Sequence, residues 1–453
     1  MTRNTPRVVI AGTNSGSGKT TITCAILQAL VNRGLKTAAF KCGPDYIDPM
    51  FHSRIIGARS SNLDLYFFDS NTARYLLAKN SEGCDLSVIE GVMGFYDGLD
   101  ITGTEASTYD VARVTDSPVI LVVNARGAAL SVLAVIRGFL DFCPENHVAG
   151  VILNQCSGPT YEVLKAEIRS RFEGRVQPLG YMPKMKDASI ESRHLGLVTA
   201  GEITDLKSRM TLLAEQAEKS IDIDSVIRLA ESACEISFEP VLFPAYDDPV
   251  RIAVARDEAF CFYYEDSIAA LEEMGAEITA FSPLHDPMLP DPVHGLYIGG
   301  GYPELYAEAL AENKSMRNSV LAALERHVPC IAECGGFMYL TKAIGPNEMT
   351  GFLPGSCYDT GKLSRFGYVE LTSEKNGLLC RKGESIRGHE FHYWDCESTG
   401  EDFTAEKRSG KKWNCVFHTD TLYAGFPHFH FYAGPEFALN FYNACLKEKH
   451  RND

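Results

Sequence analysis

The first residues able to do chemistry are Gly12-Thr13-Asn14-Ser15-Gly16-Ser17-Gly18-Lys19-Thr20-Thr21. The apolar run Val8–Ala11 before them reads as a buried strand, and Ile22–Leu30 after them reads as a helix. Glycines in such a turn let successive backbone N–H groups point inward, and the helix N-terminus adds partial positive charge. The segment is therefore a phosphate cradle. Gly12 through Thr21 would hold ATP, with the Lys19 ammonium on the β- and γ-phosphates and the Thr20 hydroxyl on Mg2+. The usual loop of this kind has about four residues between its outer glycines. Here Gly12 and Gly18 enclose five.

A second set of reactive residues lies in the other half of the chain. Pro329-Cys330-Ile331-Ala332-Glu333-Cys334-Gly335-Gly336-Phe337-Met338-Tyr339-Leu340 reads as strand, tight turn and helix, with Cys334 at the turn. A thiol there is expected to be exposed, with its pKa lowered by the helix N-terminus, which makes it a nucleophile. Cys330 falls inside the strand and reads as an inert buried thiol. The nucleophile needs a distant base, and Gly425-Phe426-Pro427-His428-Phe429-His430-Phe431 offers His428 and His430. Gly299-Gly300-Gly301-Tyr302-Pro303-Glu304 follows another strand directly, so the N–H groups of Gly300 and Gly301, with that of Gly335, can form an oxyanion hole. Arg387-Gly388-His389-Glu390-Phe391-His392-Tyr393-Trp394 also concentrates polar groups. His389 and His392 could ligate zinc, but no third ligand is evident; a hydrogen-bonded substrate or interdomain surface is the preferred reading, with a structural strand histidine as the plainer one.

The elements that must position these groups follow from periodicity. From Val8 to about Phe238, strand-like runs at Val8–Ala11, Thr37–Lys41, Leu86–Ile89, Val119–Val123, Ala149–Leu153 and Pro178–Tyr181 alternate with helical segments such as Ala128–Phe142 and Tyr161–Phe172. Such alternation predicts a mainly parallel sheet covered on both faces, with ligands beyond the strand C-termini. Lys41, Glu90 and Asn154 each close a strand and so share the edge of the phosphate loop. Two carboxylate-rich stretches fall there, Lys41-Cys42-Gly43-Pro44-Asp45-Tyr46-Ile47-Asp48-Pro49 and Glu90-Gly91-Val92-Met93-Gly94-Phe95-Tyr96-Asp97-Gly98. Glu90 and Asp48 suit a hard cation. Lys41 could neutralise a phosphoryl group in flight. Asp45, Asp48 and Asp97 could position an acceptor, a metal or a water, or could instead be turn and cap residues. Tyr46 and Ile47 offer a flat apolar surface. Ser107-Thr108 and Arg193-His194-Leu195-Gly196 could contact phosphate or cap helices. Three prolines and two aspartates in Pro240–Pro249 read as a linker. After it a second alternating unit begins, with strands at Arg251–Ala255, Glu277–Phe281, Gly295–Ile298 and Cys330–Glu333. The expected domains are 1–240 and 249–453.

Composition narrows the class. The 453 residues carry a net charge of −16, which argues against nucleic acid or an anionic membrane as the main partner. The 14 cysteines include no Cys-x-x-Cys pair. There is no signal-like N-terminus and no apolar run of membrane-spanning length, so a reducing cytoplasm is the expected compartment.

In order and spacing, these motifs resemble those of the cobyrinate a,c-diamide synthase family over essentially the whole chain. The resemblance rests on Gly12–Thr21, Lys41–Pro49, Glu90–Gly98, Arg193–Gly196, Ala255–Phe262 with Tyr263-Tyr264, Gly299–Glu304, Glu333–Gly336, Arg387–Tyr393 and His428–Phe431. It implies an α/β protein of two doubly wound domains. The first is a P-loop ATPase whose longer loop is similar to that of dethiobiotin synthetase, and the second a class I glutaminase. It implies amidation of the a- and c-side-chain carboxylates of a corrin with ATP, Mg2+ and L-glutamine, with a homodimer among the assemblies to be expected. Cys334 matches the nucleophile and His428 the base. Class I glutaminases carry Glu two residues after that His, whereas this chain has His430, so the third member of the triad is open. Asp45, Asp48, Glu90 and Asp97 match the acidic positions tied to ATP, Mg2+ and carboxylate activation, and Tyr46 matches a substrate-side residue. Ile47 stands where some relatives have Leu. Ni-sirohydrochlorin and hydrogenobyrinate a,c-diamide synthases share the motifs. A P-loop regulatory ATPase is the reading from another class. It would leave the Cys334 constellation without purpose, and its usual extra Lys early in the loop is missing.

Overall fold

The computed structural model describes residues 1–185 and 200–452. The chain divides into two compact units, Met1–Val241 and Leu242–Asp453. Arg193, His194, Leu195 and Gly196 lie outside the described residues.

The first unit is built on a seven-stranded sheet. Its strands are β1 (Arg7–Gly12), β2 (Thr37–Cys42), β3 (Arg59–Leu63), β4 (Leu86–Glu90), β5 (Val119–Asn124), β6 (Val148–Asn154) and β7 (Gln177–Met182). They run in the order β3-β2-β4-β1-β5-β6-β7, every neighbouring pair parallel. β1, β2 and β4 are buried at every position, which is why apolar residues fill successive positions in Val8–Ala11, Ala38–Phe40 and Val88–Ile89 rather than alternating. The helix Lys19–Asn32 covers the sheet with Ile22, Ile26, Leu27 and Leu30, which join Val8, Ile10 and Val88 in one core. Pairing Lys41 with Glu90 in register, and ending β6 on Asn154, puts these residues at the sheet edge where the phosphate loop leaves β1. β3 carries no apolar run; among the described residues Arg-Ser-Ser-Asn-Leu pairs only with β2, at the edge of the sheet.

The second unit has a six-stranded sheet formed by β8 (Val250–Ala255), β9 (Ala276–Phe281), β10 (Gly295–Ile298), β11 (Cys330–Glu333), β12 (Phe417–Thr419) and β13 (Leu422–Gly425). The order is β9-β8-β10-β11-β13-β12, parallel except for the final hairpin. The alternating pattern read from sequence breaks after Leu340. The chain instead forms a five-stranded antiparallel sheet in which Arg365–Ser373 and Ser385–His392 pair over eight positions. The last strand of that sheet, His428–Phe429, pairs with Gly388 and His389. This pairing carries the two polar motifs from 387–394 and 425–431 to one place.

Candidate active sites

The phosphate loop is folded as a loop only glycine can follow at two points. Gly16 and Gly18 have φ of 78° and 96°. A Cβ on Gly18 would lie 2.0 Å from Asn154 Nδ2, and one on Gly12 would lie 2.2 Å from Ser17 Oγ. Asn154 donates to the Ser17 carbonyl at 2.8 Å. It therefore fixes the loop from beneath. Lys19 Nζ donates to the carbonyl of Asn14 at 3.3 Å and to that of Met93. Asn14, Ser15 and Gly16 are exposed, while Ser17 and Lys19 are buried.

Beside the loop sits a buried charge cluster. Lys41 Nζ lies 2.5 Å from Asp48 Oδ2 and 2.9 Å from Glu90 Oε1. Thr20 Oγ1 donates to Glu90 Oε1 at 2.6 Å, and His52 Nε2 is 3.1 Å from the other Glu90 oxygen. Burial alone would push the Lys41 ammonium down, but Glu90 and Asp48 outweigh it and hold it well above its usual range. The Glu90 carboxyl feels the same opposition. Burial would raise it, yet Lys41, His52 and Thr20 hold it below the usual carboxylate range. Asp48 is the carboxylate that yields: burial and then Glu90 push it up to about 7. Two carboxylates facing one ammonium divide the charge unequally, and Glu90 keeps it. Thr20, Glu90 and Asp48 are hard oxygen donors, a set that fits Mg2+ delivered on phosphates. Among the described residues no group of His, Cys, Asp and Glu forms an all-protein metal cage.

Other expected residues hold the loops. Asp45 accepts from the Ile47 N–H at 2.7 Å and the Asp48 N–H at 3.3 Å, and Asp97 accepts from the Gly94 N–H at 2.7 Å. Ser107 caps the helix Thr108–Val114, and the Thr108 hydroxyl takes the Val92 N–H at 2.9 Å. Tyr46 differs from the sequence expectation. It is only 7% exposed, so its ring is not a presented surface, and only Ile47 of the pair is half-buried.

In the second unit, Cys334 takes φ 49° and ψ −102° between β11 and the helix Gly335–Leu340. Its N–H donates to the Gly425 carbonyl at 2.7 Å. Gly336 is forced, because a Cβ there would lie 1.9 Å from the Ile298 carbonyl oxygen. Gly300 and Gly301 form a short strand against Phe260–Phe262, and the Gly301 nitrogen is 3.2 Å from where a Gly335 Cβ would stand. Gly301 and Gly335 therefore lie side by side next to Cys334. Tyr263 steadies this floor: its hydroxyl accepts from the Gly299 N–H at 2.8 Å and donates to the Ala255 carbonyl. Two expectations for Cys334 are corrected. The side chain is buried, 7% exposed, and burial, followed by Glu304, pushes its thiol up rather than down. The following helix has only six residues, too little to reverse that desolvation.

His428 is 2% exposed and lies over the glycine pair; a Gly300 Cβ would come 2.5 Å from its Cε1 and 3.3 Å from its Nε2. Its Nδ1 is 3.3 Å from Glu333 Oε2. His430 instead caps a 3-10 turn, with Nδ1 accepting from the Tyr432 N–H at 3.1 Å. His389 stacks on His428 with ring centroids 5.1 Å apart, and burial, then His428, pushes it well down. His392 stacks on Phe426 at 3.9 Å and contacts the Trp394 carbonyl at 2.6 Å. Both belong to the strand Ser385–His392 rather than to a zinc site. Sequence reasoning passed over His52 and Glu333. Nothing marks His52, which reaches Glu90 from the π-helical turn His52–Ile56. Glu333 carries a signal, since it is a strand-end carboxylate like Glu90.

The sequence matches two family models. Residues 8–198 match the CobQ/CobB/MinD/ParA nucleotide binding domain, and residues 251–435 match the CobB/CobQ-like glutamine amidotransferase domain. Cobyrinate a,c-diamide synthase of Priestia megaterium is 39% identical over 99% of this chain and 99% of its own length. That of Thermoplasma volcanium is 40% identical over 98% of both. The chain belongs to the cobyrinate a,c-diamide synthase family. It is a glutamine-dependent amidating ligase, built as an α/β P-loop NTPase-like domain followed by a class I amidotransferase-like domain, and its first domain binds nucleotide. Among solved structures, PurLQS from Thermotoga maritima aligns with a TM-score of 0.33 at 19% identity, covering 44% of this chain and 98% of that one. The signal recognition particle receptor FtsY from Elizabethkingia anophelis aligns with a TM-score of 0.31 at 13% identity, covering 46% and 66%.

Proposed function

We propose that this member of the family converts cobyrinate to cobyrinate a,c-diamide, using ATP to activate each carboxylate and glutamine as the nitrogen source. The observation that carries this reading is the pairing, in one chain, of a phosphate loop bordered by the Lys41–Glu90–Asp48 cluster with a buried Cys334–His428 site. A carboxylate does not react with ammonia at neutral pH, because oxide is too poor a leaving group. Attack by the side-chain carboxylate on the γ-phosphate gives an acyl phosphate and ADP, and ammonia then displaces phosphate. Lys19 and Lys41 neutralise the transferring phosphoryl group. Mg2+, held by Thr20, Glu90 and Asp48 with the phosphates, would add charge neutralisation there. Asp45 and Asp97 set the loops that frame the acceptor, and Ile47 borders it.

At the second site Cys334 attacks the amide carbon of glutamine. Because burial favours the neutral thiol, His428 must take its proton as the C–S bond forms and pass it to the departing ammonia. The N–H groups of Gly300, Gly301 and Gly335 receive the oxyanion, and water then hydrolyses the thioester to glutamate. We place the protein in the cytoplasm, in keeping with the free state of its cysteines. Among the described residues no helix is long and apolar enough to cross a membrane. The test is product mass after incubation with ATP and glutamine and each of cobyrinate, hydrogenobyrinate and Ni-sirohydrochlorin. A diamide from cobyrinate at the highest kcat/KM supports the reading; conversion of another macrocycle in its place overturns it.

A further inference from the structure

In a cysteine–histidine pair the imidazole must present Nε2 to the thiol as an acceptor, and the tautomer is set by what holds Nδ1. In this chain the position two residues after the base is His430, whose Nδ1 is engaged by the Tyr432 N–H. A carboxylate reaches His428 from elsewhere. Glu333 is the last residue of β11, in register with Gly425 on β13, and it directly precedes Cys334. Cys330, Ala332 and Cys334 face one core of this unit, so strand alternation sends Glu333 to the opposite face. There Oε2 lies 3.3 Å from His428 Nδ1, with both residues 2% exposed or less. The far side of the same ring packs on Gly300, which belongs to the loop that meets Gly335. The imidazole thus spans from Glu333 to the oxyanion floor.

We propose that Glu333 is the positioning residue of the glutaminase, accepting the Nδ1–H of His428 so that Nε2 is free to take the Cys334 proton. This rests on the glutaminase role proposed for Cys334 and His428. The nucleophile and the orienting carboxylate are then adjacent in sequence and lie on opposite faces of one strand, with the base arching over its end. One strand terminus therefore fixes both groups at once. The titratable groups facing Glu333 are His428, Tyr297 on β10 and Tyr423 on β13, while Cys334 lies on the other face of the strand. Burial pushes the Glu333 carboxyl up, opposed first by its hydrogen bond with His428, and both tyrosines are held neutral by burial, then by Glu333.

The test is glutamine hydrolysis and ammonium-supported amidation by Glu333→Gln and Glu333→Asp in the full chain. Glu333→Gln presents an amide N–H or a neutral oxygen to Nδ1. It should lower the glutaminase kcat by up to about 10⁴-fold, the loss that follows when the orienting carboxylate of a serine protease triad becomes its amide. The KM for glutamine should stay within about threefold, since no substrate contact is lost. The acidic limb of the glutaminase pH profile should move to lower pH, because the imidazolium loses its counter-charge. Glu333→Asp should recover part of the lost rate, and ammonium-supported amidation should persist in both variants. A Glu333→Gln enzyme with wild-type kcat and an unmoved acidic limb overturns the role of Glu333 alone. So does parallel loss of kcat, KM and ammonium-supported amidation in both variants, which would mark a purely structural residue. A wild-type enzyme that hydrolyses no glutamine overturns the glutaminase reading and this role with it.

Discussion

Glu90→Gln is the most informative single change, because the structure separates its effect on folding from its effect on chemistry. The side chain is fully buried and keeps its volume in the variant, so no cavity opens. What is lost is a charge facing Lys41 at 2.9 Å, His52 at 3.1 Å and the Thr20 hydroxyl at 2.6 Å. Removing one member of a buried ion pair costs ~3–5 kcal/mol. The low end applies, since Asp48 remains 2.5 Å from Lys41 and ionises more readily once its neighbour is neutral. About 3 kcal/mol corresponds to a fall in Tm of ~6–12 °C for a unit of this size. If Glu90 also holds Mg2+ near the transferring phosphoryl group, a similar energy in the transition state is ~10²-fold in kcat. Calorimetry gives the first quantity. ATP-dependent amidation titrated with Mg2+, beside glutamine hydrolysis as an internal control, gives the second. A Tm within ~2 °C of wild type would refute the charge cluster as a source of stability. Unchanged Mg2+ dependence would refute Glu90 as a ligand.

Asp48 has a folded pKa of about 7, above its ordinary 3.8, so the folded state holds its proton more tightly and stability falls as pH rises between those values. Asp48→Asn should flatten that fall in pH-dependent unfolding, and an unchanged slope would contradict the division of charge between Asp48 and Glu90. Tyr46→Ala should act through packing, at about 3–5 kcal/mol for a buried aromatic, and lower Tm rather than alter macrocycle KM selectively. A selective KM effect would restore Tyr46 as a substrate residue. Gly18→Ala puts a methyl 2.0 Å from Asn154 Nδ2 at φ 96° and should raise the KM for ATP while glutamine hydrolysis continues. Equal loss of both would point to misfolding.

The parts of this protein legible in its sequence are those where one residue type answers one local demand. Val8–Ala11 and Leu86–Ile89 read as strands because a parallel sheet buried on both faces leaves no room for polar alternation. Gly12 through Thr21 and Glu333 through Gly336 read as sites because only glycine tolerates the close approaches there. β3 was not legible, since its polar residues lie at the sheet edge, and neither was the antiparallel layer after Leu340, whose strands alternate weakly. Arg7 shows the same limit. It opens the central strand fully buried, its guanidinium donating to the carbonyls of Thr5, Thr115, Asp116 and Cys234, partners far apart in the chain. Glu333 and His52 depend on tertiary contact in the same way. The reversed pKa of Cys334 came from burial, a quantity that the Glu-Cys-Gly-Gly pattern does not carry.

The most direct measurement follows the nitrogen. The wild-type enzyme would be supplied with cobyrinate, ATP and glutamine labelled with ¹⁵N in its side-chain amide, against a Cys334→Ser enzyme given the same mixture plus unlabelled ammonium. Mass spectrometry of the macrocycle should show a diamide carrying two ¹⁵N atoms from the wild type, and an unlabelled diamide from the variant. ATP consumption and glutamate release without ¹⁵N in the macrocycle, or label incorporation by Cys334→Ser, would contradict the account.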